Sequence, residues 1–404
     1  MRICRVWSVC AAVLLTSGLS TIASAQDPQP PTREAAIQQQ EAEKAKHLKP
    51  YELNKAEKFL NNFEYVLTQG TPSFHPFLSN AYSGGGFALG AGYIKHVSGY
   101  NYFDVRGSYS IKQYKRAEVE FVAPRLFNRR GSLSVLGGWR EAMEVGFYGF
   151  GTDTSLDDRA NFGFRRPAIS AEFEIYPTRR NFVLGAGAEW SQWKLQPGTG
   201  SAPSVETVYT PATLPGLGAK TDYLHTQGTI GFDWRTSKGY TRRGGYYGVT
   251  VHDFSDQDDV YGFNQIDYEA IQHIPILRET WVISLHSRVQ TAYNKDNQQV
   301  PFFLLPSVGG GHSLRGYTSW RFRDMNSVLV QAEWRIMANR FLDLAFFYDA
   351  GKVTAKRSDL DLNGLKSDYG LGVRFHGPFA TPLRIEVARS REATALVFSS
   401  GAIF

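Results

Sequence analysis

From Ser83 onward the chain alternates apolar and polar residues with a period of two, and few folds satisfy that pattern. In Tyr223 to Arg235, Leu224, Ile230, Phe232 and Trp234 fall on one side, and His225, Gln227, Thr229, Asp233 and Arg235 on the other. Trp281, Ile283, Leu285 and Val289 alternate with Ser284, His286, Arg288 and Gln290. Val328, Val330, Ala332, Trp334 and Ile336 alternate with Ser327, Gln331, Glu333 and Arg335, and Tyr369, Leu371, Val373 and Phe375 with Asp368, Gly370, Gly372 and Arg374. Tilted strands of about ten residues cross a hydrocarbon core. No apolar run of transmembrane-helix length follows the N-terminal leader, so a membrane crossing requires a closed barrel in which every backbone group is paired. Aromatics at 14 % and 39 glycines agree, since barrels carry aromatic girdles and small lumenal residues.

The leader sets the compartment. Arg2 and Arg5 precede a short apolar core, Val9 to Leu15 with Ile22, and Ala23-Ser24-Ala25 is a small-residue cleavage site, so 1–25 reads as a signal peptide. The two cysteines, Cys4 and Cys10, both lie within it, which leaves the mature chain without disulfide, thiolate nucleophile or cysteine metal site. The formal charge of +6 falls by two with the leader, too mild a basicity for nucleic acid as a partner. Residues 26–82 read as a periplasmic tether followed by an amphipathic helix. Leu53, Ala56, Phe59, Leu60, Phe63, Val66 and Leu67 recur at helical spacing before Gly70. Residues 83–404 form the barrel domain.

The connectors alternate too. Short basic turns (Phe127 to Gly131, Tyr176 to Arg180, Ser237 to Gly244, Ile274 to Arg278, Ala338 to Arg340) mark one end, and longer connectors (148–160, 196–221, 294–325, 354–365) the other. Outer-membrane barrels have short periplasmic turns and long external loops, which fixes the orientation. After the 294–325 loop five strands are expected, at about 326–338, 341–352, 366–377, 382–390 and 394–404. Ten are legible upstream, and an even total calls for an eleventh, near Phe63 to Thr68 or within 196–221. The expected fold is an all-β, membrane-spanning antiparallel barrel of sixteen strands with a short N-terminal helix. Leu396, Phe398 and Phe404 are expected on one face of the last strand, with the terminal aromatic acting as a barrel signal.

The long loop carries Gly309-Gly310-Gly311-His312-Ser313-Leu314-Arg315-Gly316-Tyr317, and a strand ahead lies Phe347-Tyr348-Asp349-Ala350-Gly351. Parity sends Leu342, Leu344, Phe346 and Tyr348 to lipid, and therefore Asp349 to the lumen, with Glu333 and Arg335 on the lumenal parity of the preceding strand. The glycines at 309 to 311 supply a hinge, and the planar fork of Arg315 suits carboxylates on the wall. These tracts resemble the Arg-Gly-aromatic loop motif and the Phe-x-Asp-x-Gly strand motif of the bacterial surface-antigen family, the BamA/TamA-type superfamily of outer-membrane assembly and translocation barrels. Phe147-Tyr148-Gly149-Phe150-Gly151 is similar to a tract near an external loop in those barrels.

The resemblance covers about 83–404. It implies that Arg315 reaches inward to pair with Asp349 while Gly316 and Tyr317 shape the loop tip. It also implies a Gram-negative outer membrane, lipid as a partner, and chaperones and assembly machinery for the barrel's own insertion. Fewer than sixty residues separate the cleavage site from the first clear strand, so the family's periplasmic βαββα modules find no place and a barrel-only branch is expected.

The resemblance implies a protein insertion or translocation factor, with a passive porin-like channel constricted by its internal loop as the alternative. The client stays unidentified. A barrel hydrolase is the weakest reading: His225, His252, His286 and His312 lack Gly-x-Ser-x-Gly or His-Glu-x-x-His companions. Asp253, Asp256, Asp258 and Asp259 lack calcium-loop spacing. No enzyme activity, cofactor or metal is expected.

Overall fold

The computed structural model describes residues 32–47, 72–177 and 181–404. Signal segment 1–25 and the helix expected at 52–69 lie outside the described residues. Helix α1, Arg33–His47, falls in the segment read as tether. Its sequence is rich in Ala, Gln, Glu and Lys, which lose little freedom in a helix. Thr32 caps it, Oγ1 accepting from the Ala35 amide at 3.2 Å.

The strands form one antiparallel meander. They are β1 (Phe74–Pro76), β2 (Ala88–His96), β3 (Tyr102–Ser110), β4 (Lys115–Leu126), β5 (Gly131–Phe147), β6 (Ala160–Ile175), β7 (Phe182–Pro197), β8 (Lys220–Asp233), β9 (Gly244–Asp256), β10 (Phe263–Leu277) and β11 (Trp281–Asn294). The long loop follows and contains a two-stranded ribbon, β12 (Ser307–Val308) with β13 (Phe322–Arg323). After it come β14 (Asn326–Asn339), β15 (Leu342–Thr354), β16 (Lys366–Phe375), β17 (Leu383–Ser390) and β18 (Thr394–Ser399). Sixteen strands make the main sheet in chain order, with β11 pairing β14 across the loop.

The five strands after the loop are those read from the sequence. Among the described residues the eleventh upstream strand is β1; Phe63 to Thr68, one of the places suggested, lies outside the described residues. A three-residue strand is too short to show a period, and it starts the sheet ahead of residue 83. The 196–221 connector instead holds a one-turn helix, α2, Val205–Val208.

Register explains why alternation translates into a membrane protein. Trp334 opposes Phe346, Phe346 opposes Leu371, Leu371 opposes Val387, and Val387 opposes Leu396. All five are exposed, at 39 %, 45 %, 56 %, 45 % and 60 %. A belt of that kind is an aggregation hazard in water and is satisfied only by hydrocarbon. One residue along, the side chains invert: Asp343, Ala345, Phe347 and Asp349 are buried between exposed Leu344, Phe346 and Tyr348. A one-residue slip would turn every charge to lipid, so the pattern fixes the register.

The terminal aromatic departs from expectation. β18 stops at Ser399, and Gly401 turns at φ +84° while its amide donates to the Thr381 carbonyl at 2.7 Å. Phe404 then stacks on His286, ring centroids 5.0 Å apart, and on His273 at 6.0 Å. It is therefore a lumenal side chain and shares no face with the exposed Leu396 and Phe398. A left-handed glycine turn breaks the alternation that the sequence pattern had extended to the last residue.

The short-turn end is also filled. Tyr240, in the β8–β9 turn, lies flat on His376 at 3.9 Å and donates its hydroxyl to Asp343 Oδ2 at 2.9 Å. Thr381 Oγ1 donates to the Gly239 carbonyl at 3.1 Å, which joins this turn to the β16–β17 turn.

The two faces predict opposite responses to charge. Leu371→Arg places a cation in hydrocarbon near the middle of β16 and should cost about 2–4 kcal/mol in a urea titration of the vesicle-embedded barrel. Gln227→Arg, on the lumenal parity of β8, should shift the midpoint little. Equal effects would contradict the assignment of faces.

Candidate functional site

The loop between β11 and β14 folds into the barrel because its glycines adopt conformations closed to other residues. Gly309 has φ +125°, and a Cβ there would sit 2.5 Å from the Thr318 carbonyl oxygen. The tract that follows is buried. Leu314 packs with Val308, Tyr317, Phe322, Leu329 and Val353, Gly316 lies against the Asp368 side chain, and the Tyr317 hydroxyl donates to the Ser367 carbonyl at 3.3 Å.

Arg315 is the centre of this packing, and its side chain has no solvent exposure. Its Nε donates to Asp349 Oδ2 at 2.7 Å and its Nη2 to Asp349 Oδ1 at 2.8 Å, a fork-to-fork pair. Nη1 donates to Glu333 Oε2 at 3.2 Å and to Glu386 Oε1 at 3.0 Å. The guanidinium carbon lies 3.4 Å from the centre of the Phe347 ring, so the cation is stacked on an aromatic face as well as paired. Phe347 lies flat on the wall because residue 370 is glycine: a Cβ there would come 2.3 Å from Phe347 Cζ.

One arginine thus ties a loop to β14, β15 and β17. The expected residues, Arg315, Asp349 and Glu333, come together. Glu386, Arg374, Arg384 and Gln331 join them without having been singled out. Arg374 bridges both oxygens of Glu333 and reaches Glu386 Oε1 at 2.8 Å. Arg384 donates to Glu386 Oε2 at 3.2 Å. Gln331 donates to Asp349 Oδ1 at 3.0 Å and to the Ser313 carbonyl at 2.8 Å. Parity alone marks all of them as lumenal; only the register shows that they converge.

Asp349 and Asp368 are directly opposed across the β15–β16 pair. Of the two, Asp349 is the one that pairs with Arg315.

Arg321, also buried, was missed as well. Arg321 takes both oxygens of Glu392 in the β17–β18 turn, with contacts at 2.9 and 2.8 Å. It also donates to Thr154 Oγ1 and to the Thr154 carbonyl, each at 2.7 Å. The Phe147–Gly151 tract and the connector after it meet the loop here. Thr152 Oγ1 donates to the Val353 carbonyl at 2.7 Å, the Gly151 amide donates to the Arg323 carbonyl at 2.9 Å, and Tyr148 and Thr318 hydroxyls share a bond of 3.2 Å. Phe147, Phe162 and Phe302 interlock edge to face at 5.3 and 4.9 Å, together with Val205 and Leu214 from the 196–221 connector. Three long connectors therefore share one aromatic core at their end of the barrel.

The histidines serve the wall. His225 Nε2 and His252 Nδ1 are hydrogen-bonded at 3.0 Å, and His286 links Gln331 at 2.8 Å with Glu269 at 3.0 Å. His273 Nδ1 bonds Ser284 Oγ at 2.8 Å, but its Nε2 has no partner among the described residues, so no carboxylate orients that pair. Of the acidic group at 253–259, Asp256 accepts the amides of Val260 and Tyr261, and Asp253 pairs with Lys295 at 2.8 Å.

Removing one member of a buried ion cluster strands the others. Arg315→Ala should lower unfolding stability by about 3–5 kcal/mol, and Arg315→Lys less, because the charge stays while the fork is lost. Combining Arg315→Ala with Asp349→Ala should destabilise by less than the two singles added. Wild-type urea midpoints for the single variants would overturn the clamp.

Comparison with known proteins bears on fold and family. A structure of BamA from Haemophilus ducreyi lacking POTRA domains 1-3 superposes with a TM-score of 0.57, at 14 % identity, over 81 % of this chain and 68 % of that one. CdiB from Escherichia coli superposes with a TM-score of 0.54, at 10 % identity, over 81 % of this chain and 61 % of that one. At such identities the likeness is one of fold. No curated protein matches the sequence. The Omp85 superfamily domain matches residues 99–395, which takes in the barrel from the start of β3 and both motif tracts. The chain belongs to the Omp85 superfamily.

Proposed function

We propose that the protein works in the outer membrane as an insertion or translocation barrel, in which a client strand pairs at the seam between β1 and β18. The observation that carries this reading is the inequality of the sheet. β1 contributes three residue pairs to β2, and β18 six to β17, whereas β10 and β11 share fourteen. Among the described residues β1 and β18 each have one strand partner, so an edge of unpaired N–H and C=O groups stands at either end of the sheet. In hydrocarbon each unsatisfied group costs several kcal/mol (roughly, for an amide without a partner). Strand addition by a client relieves that cost, as in other cases of β-augmentation.

The clamp supports the same reading from the other side. Arg315 ties together β14, β15 and β17, and Arg321 fastens the last turn, so the wall next to β18 is held while the seam itself is short. The interlocked connectors fill one mouth and Tyr240 with the C-terminal tail fills the other. Both features favour wall mechanics over free passage of solutes. Barrel-assembly partners and periplasmic chaperones enter this proposal through the family, and the client is a strand-forming outer-membrane chain.

The test is reconstitution in vesicles with a urea-denatured outer-membrane barrel as client. Acceleration of client folding over empty vesicles is expected, together with low and irregular conductance in planar bilayers. Large, steady single-channel openings with no acceleration would replace this reading by the porin one.

A further inference from the structure

Within the lumen, the glycine loop and the β10–β11 wall line a half-open cavity of about 340 Å³ that the clamp does not use. It is lined by Arg288, Gln265, His312 and the turn Gly309–Gly311, and closed on its apolar side by Leu304, Leu305 and Trp320. We propose that this cavity binds a soluble phosphorylated small molecule of sugar-phosphate size.

Arg288 carries the argument. Register places it opposite Glu269, its natural counterion. Glu269 is instead turned to His286, with Oε1 and Nε2 3.0 Å apart. Arg288 lines the cavity and forms no ion pair or hydrogen bond among the described residues. The other acid on this wall, Asp267, is occupied by the amides of Gln265 and Gln290 at 2.7 and 2.8 Å. A guanidinium that faces a cavity with no acceptor bonded to it can receive an anion, and its planar fork matches phosphate oxygens.

The turn supplies donors of a second kind. The main-chain amides of Gly311 and His312 donate to no other group among the described residues, and successive amides in a glycine turn form an anion-binding concavity. The His312 imidazole lines the same space. One phosphate is far smaller than this cavity, whose volume sits at the lower end of the small-ligand range.

Trp320 indicates what fills the remainder. It holds φ +62°, rare for a bulky residue, with its ring stacked on Tyr82 at 4.5 Å and Nε1 donating to the Ser83 carbonyl at 3.0 Å. The indole, held by Tyr82 and with the Arg323 guanidinium 5.1 Å from its ring centre, lines the cavity and offers apolar surface to the carbon skeleton of a sugar. The walls are the lumenal faces of β10 and β11 and the loop, away from the lipid belt, which points to a dissolved solute and not a bilayer headgroup.

The experiment is calorimetric titration of the full barrel in phosphatidylcholine nanodiscs with inorganic phosphate, glucose 6-phosphate and glucose. Glucose 6-phosphate should bind more tightly than phosphate, and glucose not measurably. Arg288→Met, or Arg288→Gln if the first fails to give a heat-modifiable barrel, should weaken glucose 6-phosphate by roughly tenfold or more, the worth of a lost charge-assisted bond. Trp320→Leu should weaken glucose 6-phosphate and spare phosphate. Arg140→Met, in the neighbouring aromatic chamber of about 260 Å³, should change neither. Wild-type affinity in both Arg288 variants, or equal binding of glucose and glucose 6-phosphate, would overturn the proposal. Affinity should be the same in phosphatidylglycerol nanodiscs; a competitive loss there would give the site to a lipid headgroup and overturn the solute assignment. Client insertion is not measured in any of these titrations, so their result is independent of the function proposed above.

Discussion

The loop is inside the barrel because one guanidinium is there with it. A buried arginine is costly to strip of water, and its carboxylates more so; attraction repays that cost only when geometry is close and the remaining donors are engaged. Arg315 meets those conditions with Asp349, Glu333, Glu386 and the Phe347 face. The carboxylates sit on three strands, so the cost of moving any one of them is shared by the wall. Without the cation, Asp349 would be left buried with no charged partner, directly opposite Asp368 across a strand pair. The glycines at 309 and 370 are the steric counterpart: the first lets the loop turn in, the second lets the ring beneath the cation lie flat. Sequence, backbone conformation and electrostatics thus converge on one atom group, and loop position, wall order and lumen filling follow from it.

Much of this is legible in the sequence itself. The period of two identified strands, their outward faces and the lumenal side of Asp349, because each apolar residue must reach lipid and its neighbour then cannot. Five strand positions after the loop followed from the same rule. What failed was whatever the period does not encode. β1 is too short to show one. Phe404 continues the alternation in sequence, yet Gly401 turns it inward against two histidines. Glu386, Arg374 and Arg384 have lumenal parity like many other polar residues. Their convergence depends on the stagger between β14 and β17, which the turn lengths alone do not give. Arg321 was invisible because its partners, Thr154 and Glu392, are far away in the chain and lie in connectors, where no periodic signal exists.

The placement of the two arginines orders the sheet by stability. β14 to β17 are bound to one another by ladder hydrogen bonds and by Arg315, and the β17–β18 turn is fastened by Arg321 to a connector from the other side of the barrel. β1 has three residue pairs and a His75–Asp104 contact of 3.7 Å. Local opening free energy follows contact and hydrogen-bond density, so the first strand should part from its neighbours long before the clamped block does. The block next to β18 is then the held side of the sheet and β1 the yielding edge. Under the insertion function proposed above, that asymmetry would give the clamp a role beyond holding a loop: it would decide which of the two edges stays a strand if the wall opens, and hence which one an incoming strand could use as its template.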